Sequence, residues 1–336
     1  MYIKDKILKH NNNYSSAENI FKKASGSNLV RNTDYDIHRE NINKLPTLSI
    51  VIPYFNDRKS IVLTLQSINN QTNINFKKIE VIIIDDGSIL EVPTMNKLKY
   101  ELRIIKLKKN LGLVRVRNIG LLIARNEVLM YLDADMILHV NTLYNHLLAH
   151  FSTNMMNLIM VGYREWIEPS DMRLTARRLT NSMIDLSSDF RIKITFDRRH
   201  LPYISNKKLL GQTHYVVRDS NFYKNFKNGY KYLHYTLSSQ VHGFLFSLPL
   251  VYALEAGPVG ETEKGWGADD TLIATKFIAN GSKVIPLLNS KGLHLYSING
   301  NRVESDRQKE RLRNKRRLAD LLAEPYVKFF KHYDKK

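Results

Sequence analysis

The sequence has no cysteine among its 336 residues. Disulfide bonds, thiolate metal sites and a cysteine nucleophile are therefore excluded, and a reducing compartment is the natural environment of such a chain. Acidic residues are scarce relative to basic ones, since 32 Asp and Glu stand against 51 Lys and Arg and leave a formal net charge of +19. A surplus of this size predicts an anionic partner such as nucleic acid, phospholipid headgroups or a phosphate-bearing substrate.

Long hydrophobic runs are also missing. The longest nearly uncharged apolar stretch, residues 243–254, is about half of the ~20 residues that a membrane-spanning helix needs. The first 44 residues lack the apolar segment of a secretory signal. We therefore expect a cytoplasmic protein whose contact with a membrane, if it has one, is peripheral and on the inner face.

Short apolar runs alternate with amphipathic segments from residue 48 to residue 151. The apolar runs are rich in β-branched residues, which favour strands, and the segments between them have helical spacing. The predicted strands span residues 48–52, 80–84, 102–107 and 128–132, and the predicted helices span residues 59–69 and 114–124. This alternation predicts an α/β protein with a mostly parallel sheet flanked by helices, and ligands of such sheets bind beyond the carboxyl ends of the strands.

The patterns elsewhere in the chain are weaker. A short helix is predicted at residues 14–23, a strand at 158–162, helices around 173–186, and a charged helix at 306–322. A further helix is predicted at residues 269–279, where Asn280-Gly281 supplies the usual signal for a helix end.

Three acidic clusters follow predicted strands or open a helix. Asp85-Asp86 follows the second strand, Asp133-Ala134-Asp135 follows the fourth, and Asp269-Asp270 begins the helix at 269–279. Any one of them is typical of a helix cap or a turn, but three at the ligand-binding edge of one sheet favour a site. In the second cluster the two carboxylates of an extended segment point the same way, so they can hold a divalent cation that bridges a diphosphate.

These clusters belong to an ordered series of motifs. The series is Ser49-Ile-Val-Ile-Pro53-Tyr-Phe-Asn56, Gln71-Thr72, Asp85-Asp86-Gly87-Ser88, Asn110-x-Gly112, Arg117-Asn118-x-Gly120 and Leu132-Asp133-Ala134-Asp135-Met136. It resembles the nucleotide-sugar-binding half of a family 2 glycosyltransferase with the GT-A fold. Further on, Gly265-Trp-Gly-Ala-Asp-Asp270 resembles the GWGxED motif of galactosyl- and N-acetylhexosaminyl-transferases, and Gly292-Leu-His294 fits a metal-ligand histidine of that family.

The resemblance implies a role for each matching residue on the donor side. Pro53 and Phe55 would line the nucleoside pocket, and Asp86 would accept a hydrogen bond from the base. Arg117 would lie near the nucleotide or its diphosphate, and Asp133 would touch the ribose or the sugar. The metal, Mn²⁺ or Mg²⁺, would be bound by Asp135 and His294.

On the acceptor side the resemblance implies a catalytic base and a sugar-binding surface. Asp270 would be the base, Asp269 would orient the acceptor, and Trp266 would pack against a sugar ring. The implied reaction transfers a sugar, with inversion, from a UDP-sugar of the Gal, Glc, GalNAc or GlcNAc type. The implied acceptor is a glycan, a lipid-linked glycan or a peptide, and the implied setting is polysaccharide or cell-envelope synthesis.

The resemblance also implies a division of the chain. We expect an N-terminal appendage at residues 1–46, a single GT-A catalytic domain at 47–298 and a basic helical tail at 299–336. Within the catalytic domain, residues 47–152 would bind the nucleotide-sugar and residues 153–298 would bind the acceptor.

The basic segments leave alternatives open. Residues 302–317 carry eight basic residues against three acidic ones, a pattern typical of a solvated helix face. It also fits contact with an anionic membrane or with a phosphate-bearing acceptor. Nucleic acid is a weaker alternative, because the three acidic clusters would repel phosphate unless a cation were bound. A second basic cluster, between residues 173 and 199, is either another solvated face or a part of the acceptor site or a lid.

Two further hypotheses have less support. A nucleotidyltransferase that makes activated sugars would need a Gly-rich phosphate loop after the first strand, and residues 53–58 contain no glycine. His146 and His150 have a spacing that can bind zinc on a helix, but the Glu of a metalloprotease motif is missing. A partly buried or exposed helix face is the favoured interpretation of these two histidines.

Overall fold

The computed structural model describes residues 1–29, 39–167, 184, 189, 193–195, 213–215, 237–238, 240–260, 269–295 and 304–329. The helices predicted around residues 173–186 fall almost entirely outside these residues, as does the basic cluster between 173 and 199. Within the described residues, no helix has both the length and the apolar character that crossing a bilayer would require.

The helices and strands predicted within the described residues are present, and the structure adds others. The α-helices are α1 (Ile3–Lys9), α2 (Ser15–Ser25), α3 (Arg58–Asn69), α4 (Leu113–Ile123), α5 (Thr142–Ser152), α6 (Leu250–Ala256), α7 (Asp269–Ala279) and α8 (Glu304–Ala323), and short 3₁₀ helices span Arg39–Lys44 and Phe76–Lys78. The strands are β1 (Leu48–Tyr54), β2 (Ile79–Asp85), β3 (Glu101–Lys106), β4 (Val128–Leu132), β5 (Met136–Leu138), β6 (Leu158–Ile167), β7 (Lys193–Thr195), β8 (Thr213–Tyr215), β9 (Leu245–Pro249) and β10 (Lys283–Leu295).

The main sheet has eight strands in the order β3-β2-β1-β4-β9-β6-β10-β5, while β7 and β8 pair with each other. The pairs among β3, β2, β1 and β4 are all parallel, as the sequence predicts. Beyond β4 the sheet is mixed, because β9 runs antiparallel to both β4 and β6, and β5 runs antiparallel to β10. The sequence did not predict β5, β9 or β10.

Helices cover both faces of the central strands. On β1, Ile50 and Ile52 pack on the side of α2, α3 and α5, whereas Val51 packs on the side of α4, α6 and α7. A strand buried on both faces has an apolar side chain at every position, which explains the continuous apolar runs of the sequence. A Cβ atom at Gly120 would collide with Val51, so this glycine lets α4 lie directly on β1.

The N-terminal residues pack onto the same core. Ile3 of α1 and Phe21 of α2 are buried in the hydrophobic clusters on the two faces of the sheet. Between the two helices, Asn12 donates to the carbonyl oxygen of Val284 over 2.9 Å and accepts from the Val284 amide over 2.7 Å. The predicted boundaries at residues 46 and 298 stay predictions, but the described N-terminal residues are integral to the packing of the sheet.

The charged helix predicted near the C-terminus is present as α8. Leu321 and Leu322, at the C-terminal end of its apolar stripe, are buried on the side of the sheet covered by α7, whereas Leu312 is exposed. Arg317 is also buried, so not every basic residue of this helix belongs to a solvated surface.

His146 and His150 are fully buried, and the predicted partly buried or exposed helix face is therefore wrong. Ser247 of β9 lies between them, with its Oγ 2.7 Å from Nδ1 of His146 and 2.8 Å from Nε2 of His150. Nε2 of His146 lies 2.6 Å from Oγ of Ser290. Hydroxyl partners suit neutral imidazoles, and burial lowers the pKa of His150 to about 3 and that of His146 well below 6.5.

These two histidines predict a loss of stability in acid. Each binds a proton in the unfolded chain below about pH 6.5 but not in the folded protein, so stability is full above that pH and falls as the pH drops. Between pH 7 and pH 5 His150 accounts for a loss of about 2 kcal/mol in the free energy of unfolding, and His146 adds a loss in the same direction. We expect the His150→Gln variant to be less stable than the parent at pH 7 but to lose about 2 kcal/mol less on acidification.

Urea unfolding at pH 7, 6 and 5 measures this difference. The comparison uses the change with pH within each variant, so a uniform loss from repacking cancels. Parallel stability curves for the parent and His150→Gln would contradict a neutral, buried His150.

Candidate active site

Asp133 and Asp135 lie on the segment that joins β4 to β5. The Asp133 amide donates to the carbonyl oxygen of Phe244 over 3.3 Å, and the hydroxyl of Thr64 donates to the carbonyl oxygen of Ala134 over 2.8 Å. The carbonyl oxygen of Asp135 accepts from the Leu295 amide over 3.0 Å. The backbone between the two aspartates is therefore held from three sides, which fixes the direction of both carboxylates.

His294 joins these aspartates because β5 pairs with the end of β10. Met136 pairs with His294 in this ladder, and Nε2 of His294 lies 2.8 Å from Oδ1 of Asp135. One potential ligand atom from each of Asp133, Asp135 and His294 lies within 4.8 Å of the other two. The sequence predicted Asp135 and His294 as metal ligands, and the structure brings them together with Asp133 as the third potential ligand.

The three side chains fit a divalent cation. Two carboxylates and a neutral imidazole are ligands that Mn²⁺ accepts, whereas Mg²⁺ prefers oxygen ligands alone. Burial raises the pKa of Asp133; Arg117 opposes this shift, and the charges of Asp135 and Asp270 add to it. The carboxylates therefore repel one another, and a cation among them would relieve the repulsion.

Arg117 connects this cluster to the start of α7. Its Nη2 donates to Oδ1 of Asp133 over 2.9 Å, and its Nη1 donates to the carboxylates of both Asp269 and Asp270. The guanidinium is only 1% exposed. The sequence placed Arg117 near the nucleotide, and that role stays a prediction. The structure adds that one buried cation joins acidic residues from the two predicted halves of the catalytic domain.

The backbone near Gly243 lies directly against these charges. A Cβ atom on Gly243 would collide with the guanidinium of Arg117 and with Oδ1 of Asp270. Only glycine leaves room for the arginine and the aspartate to meet there. Of the two aspartates, Asp269 is buried, whereas the side chain of Asp270 is 26% exposed and so can be reached from solvent.

Arg164 and two aromatic residues surround the other side of His294. Nη1 of Arg164 lies 2.7 Å from Nδ1 of His294, and the Trp166 ring stacks on the imidazole with centroids 4.2 Å apart. The Arg164 guanidinium lies 3.9 Å from the centroid of Trp166 and 4.3 Å from that of Phe244. The sequence motifs do not mark Arg164 or Phe244, although Arg164 and Trp166 have the i, i+2 spacing of residues on one face of a strand.

Of the residues predicted to bind the nucleotide, Pro53 lies in β1, and Phe55 and Asp86 lie on the loops that follow β1 and β2. Pro53 is half-buried at the end of β1, and Phe55 is 51% exposed just beyond it. The Asn56 amide donates to the Ser88 hydroxyl over 2.9 Å, which ties the loop after β1 to the loop after β2. These loops stand at the carboxyl edge of the parallel strands, where a ligand is expected.

Asp86 ties the loop after β2 to the start of α4. Its carboxylate accepts from the amide of Leu111 over 2.6 Å and from the amide of Gly112 over 3.0 Å. Burial raises the pKa of Asp86, and these two hydrogen bonds oppose the shift. Asp86 therefore has a structural role in holding the loop, and its predicted contact with the base stays a prediction. Trp266, predicted to pack against a sugar, lies outside the described residues.

The model of the family described as glycosyl transferase family 2 matches residues 49–224. The chain is 30% identical over 146 residues to a chondroitin synthase of Pasteurella multocida, a match that covers 42% of this chain and 14% of the relative. It is 38% identical over 106 residues to the poly(ribitol-phosphate) beta-N-acetylglucosaminyltransferase TarP of Staphylococcus aureus, covering 30% of this chain and 32% of the relative. The matched region thus spans less than a third of these relatives' length.

A solved structure shares the fold. The mannosyltransferase PcManGT from Pyrobaculum calidifontis, in complex with GDP-Man and Mn²⁺, matches with a TM-score of 0.53 at 15% identity. The match covers 94% of this chain and 72% of that chain. The predicted GT-A-like α/β fold is therefore confirmed. The family match covers more than half of the 336 residues, and it confirms the glycosyltransferase class that the motifs predict. The chain therefore belongs to glycosyl transferase family 2.

Proposed function

We propose that this chain is a metal-dependent, inverting glycosyltransferase that moves a sugar from a nucleoside-diphosphate sugar to a nucleophile on an acceptor. The observation that carries the proposal is the juxtaposition around Arg117. A cluster with the ligands of a metal site, Asp133, Asp135 and His294, is joined through this one arginine to the acidic pair Asp269 and Asp270. Such an enzyme needs positive charge for the leaving diphosphate and a carboxylate for the acceptor proton.

The metal-binding residues would be Asp133, Asp135 and His294. A divalent cation held there supplies the positive charge that offsets the departing nucleoside diphosphate. Arg117 contacts Oδ1 of Asp133, so the second oxygen of that carboxylate can face the ion while the arginine pair is kept. The imidazole in the ligand set favours Mn²⁺ over Mg²⁺, and the fold neighbour from Pyrobaculum calidifontis also contains Mn²⁺.

Asp270 is the proposed catalytic base. Of the two carboxylates that open α7, only that of Asp270 is substantially exposed, so an acceptor hydroxyl can reach it. Asp269 is buried against Arg117 and would hold the arginine in place. A base opposite the leaving group favours inversion, because the acceptor then attacks from the side away from the diphosphate.

The proposed donor is a UDP-sugar of the Gal, Glc, GalNAc or GlcNAc type. The name of the Staphylococcus aureus relative includes transfer of N-acetylglucosamine, which supports an N-acetylhexosamine. Phe55, exposed at the carboxyl end of β1, offers an aromatic face on which a base could stack. GDP-mannose is the main competitor, since the fold neighbour binds it.

The proposed acceptor is a phosphate-bearing polymer. A net charge of +19 favours an anionic substrate, and the same relative is named for poly(ribitol-phosphate). The basic helix α8 has exposed cations, among them Lys309 and Arg316, that could attract such a polymer or an anionic membrane. A neutral glycan is the alternative acceptor that the salt test below distinguishes from an anionic polymer.

Replacing the proposed base should stop transfer without preventing donor binding. We expect Asp270→Asn to lower kcat by about 10²–10⁴ while the Kd of the donor with Mn²⁺ changes little, because a general base acts on the acceptor. Asp320→Asn, an exposed substitution on α8, is the matched control and should keep full activity. A variant that retains more than about a tenth of the parent kcat would exclude Asp270 as the base.

Removing a metal ligand should instead weaken nucleotide binding. We expect Asp135→Ala to abolish the tightening of UDP binding by Mn²⁺, because the ion would bridge this carboxylate and the diphosphate. Calorimetric titration of UDP, GDP, CMP and dTDP with Mn²⁺, Mg²⁺ or EDTA measures the effect and identifies the nucleotide that the protein prefers. The control is Asp320→Ala. Equal UDP affinity in the parent and Asp135→Ala, with and without Mn²⁺, would argue against the ligand role.

An anionic acceptor should make transfer sensitive to salt. We expect the acceptor KM for a ribitol-phosphate oligomer to rise several-fold between 50 and 300 mM NaCl, because screening weakens attraction over distances beyond about 10 Å. The KM of a neutral glycan acceptor should change little over the same range. If the KM values of the two acceptors showed the same salt dependence, charge-based acceptor recognition would be ruled out.

A further inference from the structure

Arg164 lies at the edge of the proposed metal site without being one of its ligands. It precedes Trp166 on β6, where Arg164 pairs with Gly292 and Trp166 pairs with His294 of β10. This register carries the guanidinium to the imidazole nitrogen that faces away from the aspartates, with Nη1 2.7 Å from Nδ1 of His294. The rings of Trp166 and Phe244 contact the same guanidinium and restrict where it can lie.

The contact determines where the His294 proton resides. A guanidinium has only donors, so Nδ1 of His294 must accept from Arg164. In a neutral ring the proton then lies on Nε2, and this N–H donates to Oδ1 of Asp135 over 2.8 Å. The ring is thereby held in the one tautomer that presents a proton, not a lone pair, to the proposed metal position.

A metal-binding histidine needs the opposite arrangement. The nitrogen that binds the ion offers its lone pair, and the other nitrogen carries the proton and donates it to a carboxylate, a carbonyl or water. Arg164 places a donor where that acceptor should be. Arg117 differs in this respect, because its pair with Asp133 leaves a second carboxylate oxygen for an ion.

We propose that Arg164 is a positioning residue that acts through His294 and opposes metal binding until it moves away from Nδ1. The proposal rests on the metal site assigned above. When an ion binds, the Nε2 proton of His294 would pass to solvent and free the lone pair of that nitrogen, and Nδ1 would take a proton from solvent and donate it to a new acceptor, so the ring would stay neutral. In the metal-free protein the guanidinium of Arg164 would supply positive charge beside the acidic cluster. In the metal-bound protein the added ion would supply it.

Three substitutions separate the tautomer from the charge. Arg164→Gln removes the charge and supplies an acceptor for Nδ1–H, Arg164→Met removes the charge without an acceptor, and Arg164→Lys keeps a charged donor. Arg316→Gln, an exposed substitution on α8, has the same charge change as Arg164→Gln and is the control. Mn²⁺ affinity is measured on the nucleotide-free protein from the electron paramagnetic resonance signal of the unbound ion, which needs no activity.

We expect Arg164→Gln to bind Mn²⁺ about tenfold more tightly than the parent, in line with the ~10–100-fold effects of residues that orient metal ligands. The Mn²⁺ affinity of Arg164→Met should lie between those of the parent and Arg164→Gln. The affinities of Arg164→Lys and Arg316→Gln should resemble that of the parent. A purely structural role for Arg164 would give weaker binding instead. In a His294→Ala background the gain from Arg164→Gln should disappear, because the effect passes through the imidazole.

The outcomes distinguish this inference from the proposed metal site. Equally tighter Mn²⁺ binding by Arg164→Gln and Arg164→Met would show that charge alone acts, and this result would overturn the tautomer argument. Unchanged or weaker Mn²⁺ binding by Arg164→Gln would overturn it as well. If neither the parent nor any variant binds Mn²⁺, the metal site itself fails and this inference fails with it. Long-range ¹H–¹⁵N spectra of the imidazoles add a direct check, since the metal-free parent should show His294 protonated on Nε2.

Discussion

One buried cation, Arg117, organises the candidate site. Its guanidinium is 1% exposed, and burying a charge is costly unless other charges and hydrogen bonds compensate. Burial pushes the pKa of Arg117 down, but the carboxylates of Asp270 and Asp133 outweigh this and raise it. Since an unpaired buried arginine would destabilise the fold by several kcal/mol, the end of β4 and the start of α7 must converge on it. The candidate site is thus a consequence of neutralising one charge in the interior.

The mixed half of the sheet places the remaining groups. β9 enters antiparallel between β4 and β6, and β10 pairs with β6 and with β5. The β5–β10 ladder sets His294 beside Asp135, and the β6–β10 ladder sets Trp166 beside His294. Each contact is made by strand register, so a shift of one residue would turn every one of these side chains to the other face. The guanidinium of Arg117 reaches the acidic cluster from α4, and that of Arg164 reaches it from β6. The first leaves a carboxylate oxygen of Asp133 for an ion, whereas the second occupies Nδ1 of His294.

How much could be predicted depended on how local each signal was. The strands β1, β2 and β4 follow from apolar runs, because strands buried on both faces are largely apolar, and helices α3 and α4 follow from helical spacing. The edge strand β3 is only partly buried and has a shorter apolar run. β5 has only three residues, β9 lies in the apolar run at residues 243–254 that also contains the start of α6, and β10 pairs with strands far along the chain. The histidines of α5 have a metal-like spacing, but the tertiary structure placed Ser247 between them and buried both.

The sequence by itself determined the α/β class, the order of the motifs and the Asp133-x-Asp135 pair that can hold an ion, because residue type and short spacing encode these, whereas His294 followed from the family resemblance. Only the tertiary structure decided that Arg117 joins Asp133 to Asp269 and Asp270, and that Arg164 sits on the far nitrogen of His294. Arg117 and Asp133 are 16 positions apart, but the other pairs join residues more than a hundred positions apart. Their formation depends on strand register and on the cost of leaving a buried charge unpaired.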